Sequence, residues 1–298
     1  MQKIRNLTHT DKSRILEISA KVWDGEDYLS EVVDKWLTDK TNIFVGLFVD
    51  GLLIGFGRMT FITPTDVWLE GLRKDLDSTE KGVGEKLLRY MLKLLSKRSD
   101  IISIRFSTYI DNIESITFNE KMGFEIHLTY SNKVLNLIGK RKRKLSGKIA
   151  VQEDTMEAKE FVRKSDYLKK MKNNFAKGWV VHPYSEVFID EFAQSTIVYK
   201  EDEDIKGCAI YYPGAYEGVL WICFIQAETQ NIYKALNDYI VNIALKNNYS
   251  SIEVLVPQKS KLMSFVRKAG YESWEKDNDF LLYEFPIEKL KEFSDNIY

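Results

Sequence analysis

The first 135 residues alternate between short apolar runs and segments in which apolar residues recur every three or four positions. The apolar runs predict strands at 3–7, 43–49, 52–61, 101–109 and from residues 67 and 124 onward. The periodic segments predict a pair of helices before residue 40 and two more at about 82–96 and 112–121. This part of the chain is therefore predicted as β-α-α-β-β-β-α-β-α-β.

The segment Val67–Leu88 carries the first chemical signal. It opens as a strand with Gly71 as a candidate bulge, and a polar turn at 74–81 leads to Gly82-Val83-Gly84 at the start of a helix. The first N–H groups of a helix lack partners within it, and the helix dipole is positive there. Because glycine lets the main chain approach a ligand closely, the segment predicts a cradle for phosphate or pyrophosphate. An ordinary strand-to-helix connection has the same pattern.

The second half of the chain repeats this alternation with weaker local signals. Strands are predicted at 188–199, 205–212, 219–225, 252–256 and 280–285, and helices at 156–171, 233–245 and 262–268. The segment 262–271 is similar in pattern to 118–124, which indicates a second unit of the same kind. The segment 226–231, which corresponds to the glycine turn of the first half, contains no glycine. We therefore expect this unit to lack a pyrophosphate site and to serve as a scaffold or a wall of the substrate site.

Length and composition agree with two packed units. The chain has 298 residues, of which 44% are hydrophobic, and domains commonly have about 150 residues each. The predicted boundaries are 1–138 for the first domain, 139–150 for a basic linker and 151–298 for the second domain. The net charge of −1 argues against a dedicated nucleic-acid-binding protein, despite the basic run in the linker.

The sequence argues against several further classes of protein. No apolar run is long enough to span a bilayer, and the N-terminal residues contain no secretory hydrophobic segment, so we expect a cytoplasmic protein without membrane partners. Two cysteines cannot build a disulfide framework. Three scattered histidines, His9, His127 and His182, do not form a metal-ligand cluster, so we expect no metal.

Two local motifs resemble those of the GNAT superfamily of acetyl-coenzyme-A-dependent N-acetyltransferases. In the strand and turn Trp68–Gly84, the letters TEKGVG stand where the family has Arg/Gln-x-x-Gly-x-Gly. At 112–124, the letters NIESITFNEKMGF stand where the family has Asn-x-x-Ala-x-x-x-Tyr-Glu-Lys-x-Gly-Phe. Both motifs have the family order and spacing, and the resemblance covers residues 1 to about 135. It implies the GNAT fold, a mixed α/β sheet, followed by a degenerate GNAT-like second unit.

The resemblance implies acetyl-CoA as the cofactor and places candidate roles along the two motifs. The main-chain N–H groups of Leu72 or Arg73 would polarise the acetyl carbonyl. Contacts to the pyrophosphate and the pantetheine arm are expected from Lys81, Gly82, Val83, Gly84, Glu85, Asn112 and Asn119. Glu70, just before the candidate bulge, is the candidate general base, acting through water, although an ion-paired surface carboxylate has the same pattern.

The acceptor site is expected near the turn that follows the first helix. This turn contains Asp24, Glu26, Asp27 and Tyr28. Its acidity would suit a cationic acceptor, although a solvated acidic loop is the commoner explanation. The short segments 24–29 and 69–73 also resemble histidine N-acetyltransferase and its relatives, but they are too short to carry a substrate over.

Three positions depart from the family pattern. Thr79 stands in place of Arg or Gln, and Glu80 stands in place of a glycine, where a carboxylate opposes a pyrophosphate unless it points away. Asn119 takes the place of the tyrosine that, in the family, often protonates the leaving thiolate, and an amide cannot serve as that acid. Tyr109, at the end of the neighbouring strand, is the candidate substitute.

We therefore expect an N-acetyltransferase that moves the acetyl group from acetyl-CoA to a primary amine of a small molecule by direct attack. Amino acids are among the candidate acceptors, and protein amino groups are the alternative. An amine is mostly protonated at neutral pH, because its pKa is about 8 for an α-amino group and about 10 for lysine, so the reaction needs a base. The three departures leave open a second class, a catalytically weak acyl-CoA-binding or regulatory protein.

Overall fold

The computed structural model describes residues 1–25, 27–145, 149–151 and 156–294. Its contacts divide the chain into two compact units that interleave along the sequence. As far as they are described, residues 1–106, 117–125 and 283–298 form the first unit, and residues 107–116 and 126–282 form the second. In the described ranges, no helix has both the length and the hydrophobicity that crossing a membrane requires.

The first unit is built on a sheet in the order β1-β2-β3-β4-β5. The strands are β1 (Gln2–Asn6), β2 (Ile43–Val49), β3 (Leu52–Phe61), β4 (Asp66–Lys74) and β5 (Ser103–Tyr109). Neighbours are antiparallel except β4 and β5, which are parallel. The helices are α1 (Lys12–Ser19), α2 (Leu29–Thr38), α3 (Val83–Ser96) and α4 (Ile113–Lys121), with short 3-10 helices at His9–Asp11 and Trp23–Gly25. Strand β5 and helix α4 each have residues in both units. The predicted order of elements is confirmed.

Apolar side chains cover this sheet. A buried cluster packs α1 and α2 against the strands, and its members include Ile15, Ile18, Leu29, Val33, Trp36, Phe44 and Phe56. Helix α3 buries Val83, Leu87, Leu88, Met91, Leu92 and Leu95. Gly55 in β3 permits the close approach of α3, because a Cβ at this position would lie 2.4 Å from Val83 Cγ1 and 2.9 Å from Arg73 O. The start of α3 is thereby held directly against the strands that carry the candidate site.

The second unit has a sheet in the order β6-β13-β12-β11-β10-β7, in which only β12 and β13 are parallel. The sheet strands are β6 (Glu125–Asn136), β7 (Ile149–Val151), β10 (Thr196–Glu201), β11 (Asp204–Tyr216), β12 (Val219–Ala227) and β13 (Ser251–Pro257). A separate hairpin pairs β8 (Asn174–Lys177) with β9 (Val180–Pro183), and the last strands are β14 (Glu272–Ser273) and β15 (Phe280–Glu284).

The helices of the second half are α5 (Met156–Lys164), α6 (Asp166–Lys170), α7 (Glu186–Glu191), α8 (Gln230–Lys246) and α9 (Leu262–Lys268), with 3-10 turns at Ala193–Ser195 and Ile287–Phe293. The helix predicted at 156–171 is two helices, because Ser165 caps the second by accepting the Leu168 N–H at 3.1 Å. The strand predicted at 188–199 is wrong in its first half. Phe188, Ile189 and Phe192 are buried at helical spacing around α7.

The two compact units do not follow the predicted boundaries, 1–138, 139–150 and 151–298. Strand β6 pairs with β13 from Tyr130 opposite Pro257 to Asn136 opposite Ser251, so this part of the chain belongs to the second unit. The end of the chain returns to the first unit, where the Phe285 N–H donates to Ile104 O at 2.9 Å.

The basic segment predicted as a linker is partly anchored. The Arg143 main chain exchanges two hydrogen bonds with the Asn242 side chain on α8, at 2.7 and 2.9 Å. Ile149 already belongs to β7, which pairs with β10. The described part of this segment is therefore tied into the second unit at both ends, which the charge pattern alone did not indicate.

Candidate active site

A β-bulge interrupts the ladder between β3 and β4. Two residues of β4, Gly71 and Leu72, lie opposite a single residue of β3, Gly57. Gly71 has a φ of +63°, a conformation that glycine adopts without strain, and a Cβ at this position would lie 2.6 Å from the Trp36 ring. The bulge predicted at Gly71 is confirmed, and it locally disrupts the ladder of β4 beside the candidate site.

The parallel ladder between β4 and β5 ends before either strand does. The ladder with β5 joins Asp66–Trp68 to Ser103–Arg105, whereas β4 itself continues to Lys74. In the described residues, the edge of β4 that pairs with β5 makes no ladder contacts after Trp68. The N–H groups of Leu72 and Arg73, predicted to polarise an acetyl carbonyl, lie in this stretch.

Helix α3 begins at a glycine and has no side-chain cap. Gly82, with a φ of +70°, precedes the helix, and the first helical hydrogen bond runs from the Lys86 N–H to Gly82 O at 2.9 Å. The N–H groups of Val83, Gly84 and Glu85 precede this bond, so they are the unpaired donors of the first turn. A Cβ on Gly82 would meet nothing within 4 Å. Open space and free donors are what a pyrophosphate group requires.

A buried carboxylate that the sequence did not single out holds the loop between β4 and α3. The Asp75 N–H donates to Ile54 O at 2.9 Å, and its side chain accepts the Asp77 N–H at 3.2 Å. Arg14 and Lys21 of the α1 region both form ion pairs with this carboxylate. These contacts tie the loop to β3 and α1, and they fix where α3 can begin.

The charges around the start of α3 are partly compensated. Lys86 Nζ lies 3.6 Å from the Glu80 carboxylate, which offsets the negative charge that replaces the family glycine. Glu85 accepts a hydrogen bond from Arg89 Nε at 2.9 Å, and this bond lowers the pKa of Glu85. Lys81 is exposed at the mouth of the loop. The loop therefore does not present an uncompensated carboxylate at Glu80.

The candidate base Glu70 lies in a polar cluster between β3 and β4. It faces Arg58 across the ladder, with Arg58 Nε 3.4 Å from Glu70 Oε1, and it accepts a hydrogen bond from the Thr60 hydroxyl. Burial raises the pKa of Glu70, and the Thr60 hydrogen bond and the charges of Arg58 and Lys35 oppose this shift. A raised pKa brings a carboxylate closer to the range in which it can accept a proton from an amine.

A second carboxylate anchors the same arginine. Arg58 Nη2 donates to Asp39 Oδ2 at 2.7 Å. Asp39 also accepts hydrogen bonds from the Thr41 hydroxyl at 2.6 Å, from Asn42 Nδ2 at 2.6 Å and from the Thr41 N–H at 2.8 Å, which keep its pKa below the ordinary range. Arg58 is consequently held between a firmly ionised carboxylate and the candidate base.

Asp27, predicted to line the acceptor site, is buried in an ion pair. Arg73 donates to it with Nε at 2.9 Å and Nη2 at 3.0 Å, and the Ser19 hydroxyl donates at 2.9 Å. The Arg73 guanidinium also lies 4.5 Å from the Trp23 ring centroid. The carboxylate is thus neither a solvated loop residue nor an uncompensated charge, because a bidentate guanidinium pairs with it.

The remaining residues of the acceptor turn are partly described. Glu26 lies outside the described residues, and Asp24 lies in the short helix Trp23–Gly25. Tyr28 packs edge-on against Trp36, with ring centroids 6.1 Å apart. Contact between the acceptor and Asp24, Glu26, Asp27 or Tyr28 stays a prediction.

Two predicted residues lie in the second unit with local partners of their own. The Tyr109 hydroxyl donates to the Glu275 carboxylate, which raises the pKa of Tyr109 and makes it a weaker acid. Asn112 uses its Oδ1 to accept the Ser115 N–H at 3.1 Å at the start of α4. Asn119, in the first unit, is buried. The proton-donor role of Tyr109 and the cofactor contacts of the two asparagines stay predictions.

Other chemistries find little support within the described ranges. These residues contain no group of three or more His, Cys, Asp or Glu side chains that could hold a metal ion. Cys208 and Cys223 are buried free thiols, and burial raises the pKa of both. A thiol with a raised pKa is a poor nucleophile. The candidate site is therefore built on the polar cluster at Glu70 and the start of α3.

The first unit thus combines a bulged strand with an uncapped helix that follows a glycine. Residues 3–124 match the sequence model of the acetyltransferase (GNAT) family, so the chain carries a GNAT acetyltransferase domain. Acetyl transfer to an amine, with acetyl-CoA as donor, is general for this family. No curated protein sequence matches the chain.

Solved structures resemble nearly the whole chain at low identity. A GCN5-related N-acetyltransferase from Sphaerobacter thermophilus has 11% identity and a TM-score of 0.67, covering 95% of both chains. A tandem GNAT protein from the clavulanic acid biosynthesis pathway has 10% identity and a TM-score of 0.60, covering 95% of this chain and 98% of its own. At such identities the likeness establishes the fold, a tandem pair of GNAT-like units.

A third similar structure is a GCN5-related glucosamine N-acetyltransferase region of a fungal multi-domain GH3 β-N-acetylglucosaminidase. It has 12% identity and a TM-score of 0.69, and the match covers 96% of this chain. The present chain spans only 38% of the length of that protein. This relative therefore also supports the fold alone.

Proposed function

We propose that this protein moves the acetyl group from acetyl-CoA to a primary amine of a small molecule. The observation that carries the proposal is the juxtaposition of the bulge with the uncapped helix start. A Cβ on Gly84, in the first turn of α3, would lie 3.8 Å from Cδ2 of Leu72 in the bulge. Donors for a pyrophosphate and donors for a carbonyl oxygen therefore belong to adjoining segments of one unit.

The main chain would supply most of the cofactor contacts. The N–H groups of Val83, Gly84 and Glu85 would bind the pyrophosphate, supported by the positive end of the α3 dipole. Lys81, which is exposed beside them, would add a positive charge. The N–H of Leu72 or Arg73 would hydrogen-bond the acetyl carbonyl and stabilise the negative charge that develops on its oxygen.

Glu70 would remove the proton from the incoming amine, directly or through water. Acetyl-CoA supplies an acetyl thioester that an unprotonated amine can attack directly. Because an amine is mostly protonated at neutral pH, a base beside it increases the reactive fraction. The raised pKa of Glu70 and its ladder position two residues before Leu72 suit this role.

A weak acyl-CoA-binding or regulatory protein is the second candidate. Asn119 favours it, because this buried amide stands where the family has an acidic hydroxyl. Tyr109 hydrogen-bonds to a carboxylate, which opposes its use as the acid. Under this alternative, acetyl-CoA would bind with little turnover.

Two measurements separate the candidates. Thermal unfolding is recorded with and without acetyl-CoA, because a ligand at 100 times its Kd stabilises the folded state by about 2.7 kcal/mol. Stabilisation is expected under both candidates, and its absence contradicts both. Release of free CoA is then measured with a panel of small amines and one lysine-containing peptide. Turnover with a small amine supports the proposal, turnover with the peptide alone moves the acceptor class to proteins, and binding without turnover supports the alternative.

A further inference from the structure

Arg58 presents a buried guanidinium nitrogen without a hydrogen-bond partner. The residue is only 3% exposed. Its Nε donates to the Thr60 hydroxyl at 2.9 Å and its Nη2 donates to Asp39 at 2.7 Å, whereas Nη1 has no partner among the described residues. Buried charged donors are nearly always hydrogen-bonded, because an unpaired one loses its solvation without compensation. The free nitrogen therefore indicates an acceptor group that the described residues do not provide.

The nearby carboxylates of the chain are already committed. Asp39 accepts from Arg58, from Asn42 and from two groups of Thr41. Glu70 accepts from Thr60 and lies 3.4 Å from Arg58 Nε. Neither carboxylate bonds to Nη1, so the missing partner has to come from outside this cluster.

The cluster is placed where an acceptor amine would react. Arg58 lies opposite Glu70 in the ladder, and the bulge begins at the next residue of β4. The Trp36 ring covers one side of the guanidinium, with Cζ 4.8 Å from the ring centroid. The cluster reaches solvent through the side chains of Glu70 and Asp39, which are 19% and 20% exposed. A small ligand entering beside Glu70 would meet Arg58 next.

We propose that Arg58 Nη1 binds a carboxylate of the acceptor, so that the substrate is an amine with a carboxylate close to its amino group, as in an α-amino acid. This inference rests on the proposed function, with Glu70 next to the amine. Nη1 can donate a charge-assisted hydrogen bond to one carboxylate oxygen, and such a bond is stronger than one between neutral groups. The cluster holds the positive charges of Arg58 and Lys35 against the negative charges of Asp39 and Glu70. A zwitterion therefore binds without adding net charge to a half-buried site.

The first test uses the wild-type protein and matched acceptors. CoA release is measured with phenylalanine, histidine and tryptophan, with their α-amides, and with the decarboxylated amines phenethylamine, histamine and tryptamine. For at least one set, the amino acid is expected to exceed both analogues in kcat/KM by about tenfold or more, because a charged hydrogen bond is lost in each analogue. Equal values, or a preference for the decarboxylated amine, would overturn the inference.

The second test assigns the preference to Arg58. In Arg58→Met the ratio of amino acid to decarboxylated amine is expected to fall towards one, and Arg58→Lys should retain part of it. All rates should fall, because Arg58 also favours the ionised form of Glu70, so the ratio is the informative quantity. Arg98→Met, which removes a surface arginine paired with Asp100, is the control and should keep the wild-type ratio.

The outcomes separate this inference from the proposed function. CoA release with a ratio that Arg58→Met leaves unchanged refutes the carboxylate site and leaves the acetyltransferase proposal standing. Absence of CoA release with every amine refutes the proposed function, and the carboxylate site falls with it. Thermal unfolding with acetyl-CoA checks that each variant is folded. If Arg58→Met does not fold, the wild-type preference and Arg58→Lys decide the matter.

Discussion

The two units share one framework and differ where a cofactor would bind. A Cβ on Gly55 in β3 would lie 2.4 Å from Val83 of α3, and a Cβ on Gly207 in β11 would lie 2.6 Å from Ile232 of α8. The same close approach of helix to strand therefore occurs in both units. In each unit, the strand that leads into this helix also pairs in parallel with the strand that follows the helix. The second unit is a structural repeat of the first.

The starts of the two helices are chemically different. Helix α3 follows Gly82 and has no side-chain cap, so its first N–H groups remain available. Helix α8 follows Thr229, whose hydroxyl accepts the Ile232 N–H at 3.3 Å. A capped helix start offers fewer donors to a phosphate. This difference supports a cofactor site in the first unit and not in the second.

The residue pairs across β3 and β4 also differ in chemistry from the corresponding pairs across β11 and β12. Three residues after Gly55, the ladder joins Arg58 to Glu70, whereas three residues after Gly207 it joins Ile210 to Phe224. An ion pair that could take part in proton transfer is thus replaced by an apolar pair. One fold can therefore serve as a catalytic frame or as a packed scaffold, depending on a few positions beside the bulge and the helix start.

In the second unit, the Tyr167 side chain lies where the parallel strands β12 and β13 separate. Their ladder ends at Ile222 and Val254, and beyond it the buried Tyr167 hydroxyl donates to Leu255 O at 3.1 Å. The Tyr167 ring packs edge-on against Phe224. A tyrosine hydroxyl of the chain thus donates to the main chain of β13 at the point where β12 and β13 separate.

Replacement of the candidate base should have the largest effect on activity. Glu70→Gln is expected to lower the rate of CoA release by about 10²–10⁴-fold, the usual contribution of a general base. Glu70 acts only when ionised, and burial raises its pKa above the ordinary value. The wild-type rate should therefore increase as pH rises through that pKa, and the variant should lose this increase.

A matched carboxylate in the second unit provides the control. Glu253 on β13 is also half-buried, and this burial raises its pKa. Glu253→Gln therefore tests whether the loss of any such carboxylate changes the pH profile. We expect its dependence of kcat/KM on pH to equal that of the wild type. A Glu70→Gln profile that keeps the wild-type shape would remove Glu70 from the mechanism.

Removal of the enclosed tyrosine tests the second unit as a scaffold. Tyr167→Ala should lower the free energy of unfolding by about 3–5 kcal/mol, because it deletes a large buried ring. Stabilisation of the remaining folded protein by acetyl-CoA should be unchanged. Both quantities follow from denaturant unfolding with and without acetyl-CoA, and Tyr167→Phe isolates the hydroxyl. Loss of the acetyl-CoA effect in folded Tyr167→Ala would mean that the second unit contributes to the cofactor site.

Local signals in the sequence predicted the frame of the first unit. The hairpin of β2 and β3 follows from two apolar runs around Asp50-Gly51, and α3 follows from apolar residues at helical spacing. Gly71 was identifiable because a glycine inside a strand pattern is typical of a bulge. These features depend on neighbours along the chain, so a single sequence contains them.

Contacts between distant residues were not predictable in the same way. The ion pair of Asp75 with Arg14 joins residues 61 positions apart, and nothing near either residue indicates the other. The pairing of Arg58 with Glu70 required the ladder register, and strand alternation alone left the facing of Glu70 open. The burial of Asp27 against Arg73 likewise excludes, for this residue, the alternative of a solvated acidic loop. Such contacts arise from tertiary packing, which local pattern does not determine.

The helix start of the first unit can be tested with two matched glycines. Gly82 and Gly139 have φ values of +70° and +73°, and a Cβ on either would meet nothing within 4 Å. Valine at each position should cost a similar amount of stability, about 1–2 kcal/mol, because it disfavours the left-handed conformation. Only Gly82→Val should weaken acetyl-CoA binding, by about tenfold or more, which corresponds to about 1.4 kcal/mol.

Isothermal titration with acetyl-CoA measures this difference directly. Equal affinities for Gly82→Val and the wild type would place the pyrophosphate elsewhere. If Gly82→Val and Gly139→Val weaken acetyl-CoA binding equally, general destabilisation of the protein is the cause.

The cap of the second unit should give the smallest effect. Thr229→Ala removes the hydroxyl that accepts the Ile232 N–H, and it is expected to lower the free energy of unfolding by about 1 kcal/mol. Thr229→Ser keeps the hydroxyl and should remain close to the wild type. Because the freed donors lie at a helix start without glycine, neither variant should gain acetyl-CoA binding. A measurable increase in stoichiometry for Thr229→Ala would instead show that one hydroxyl separates the scaffold unit from a cofactor-binding one.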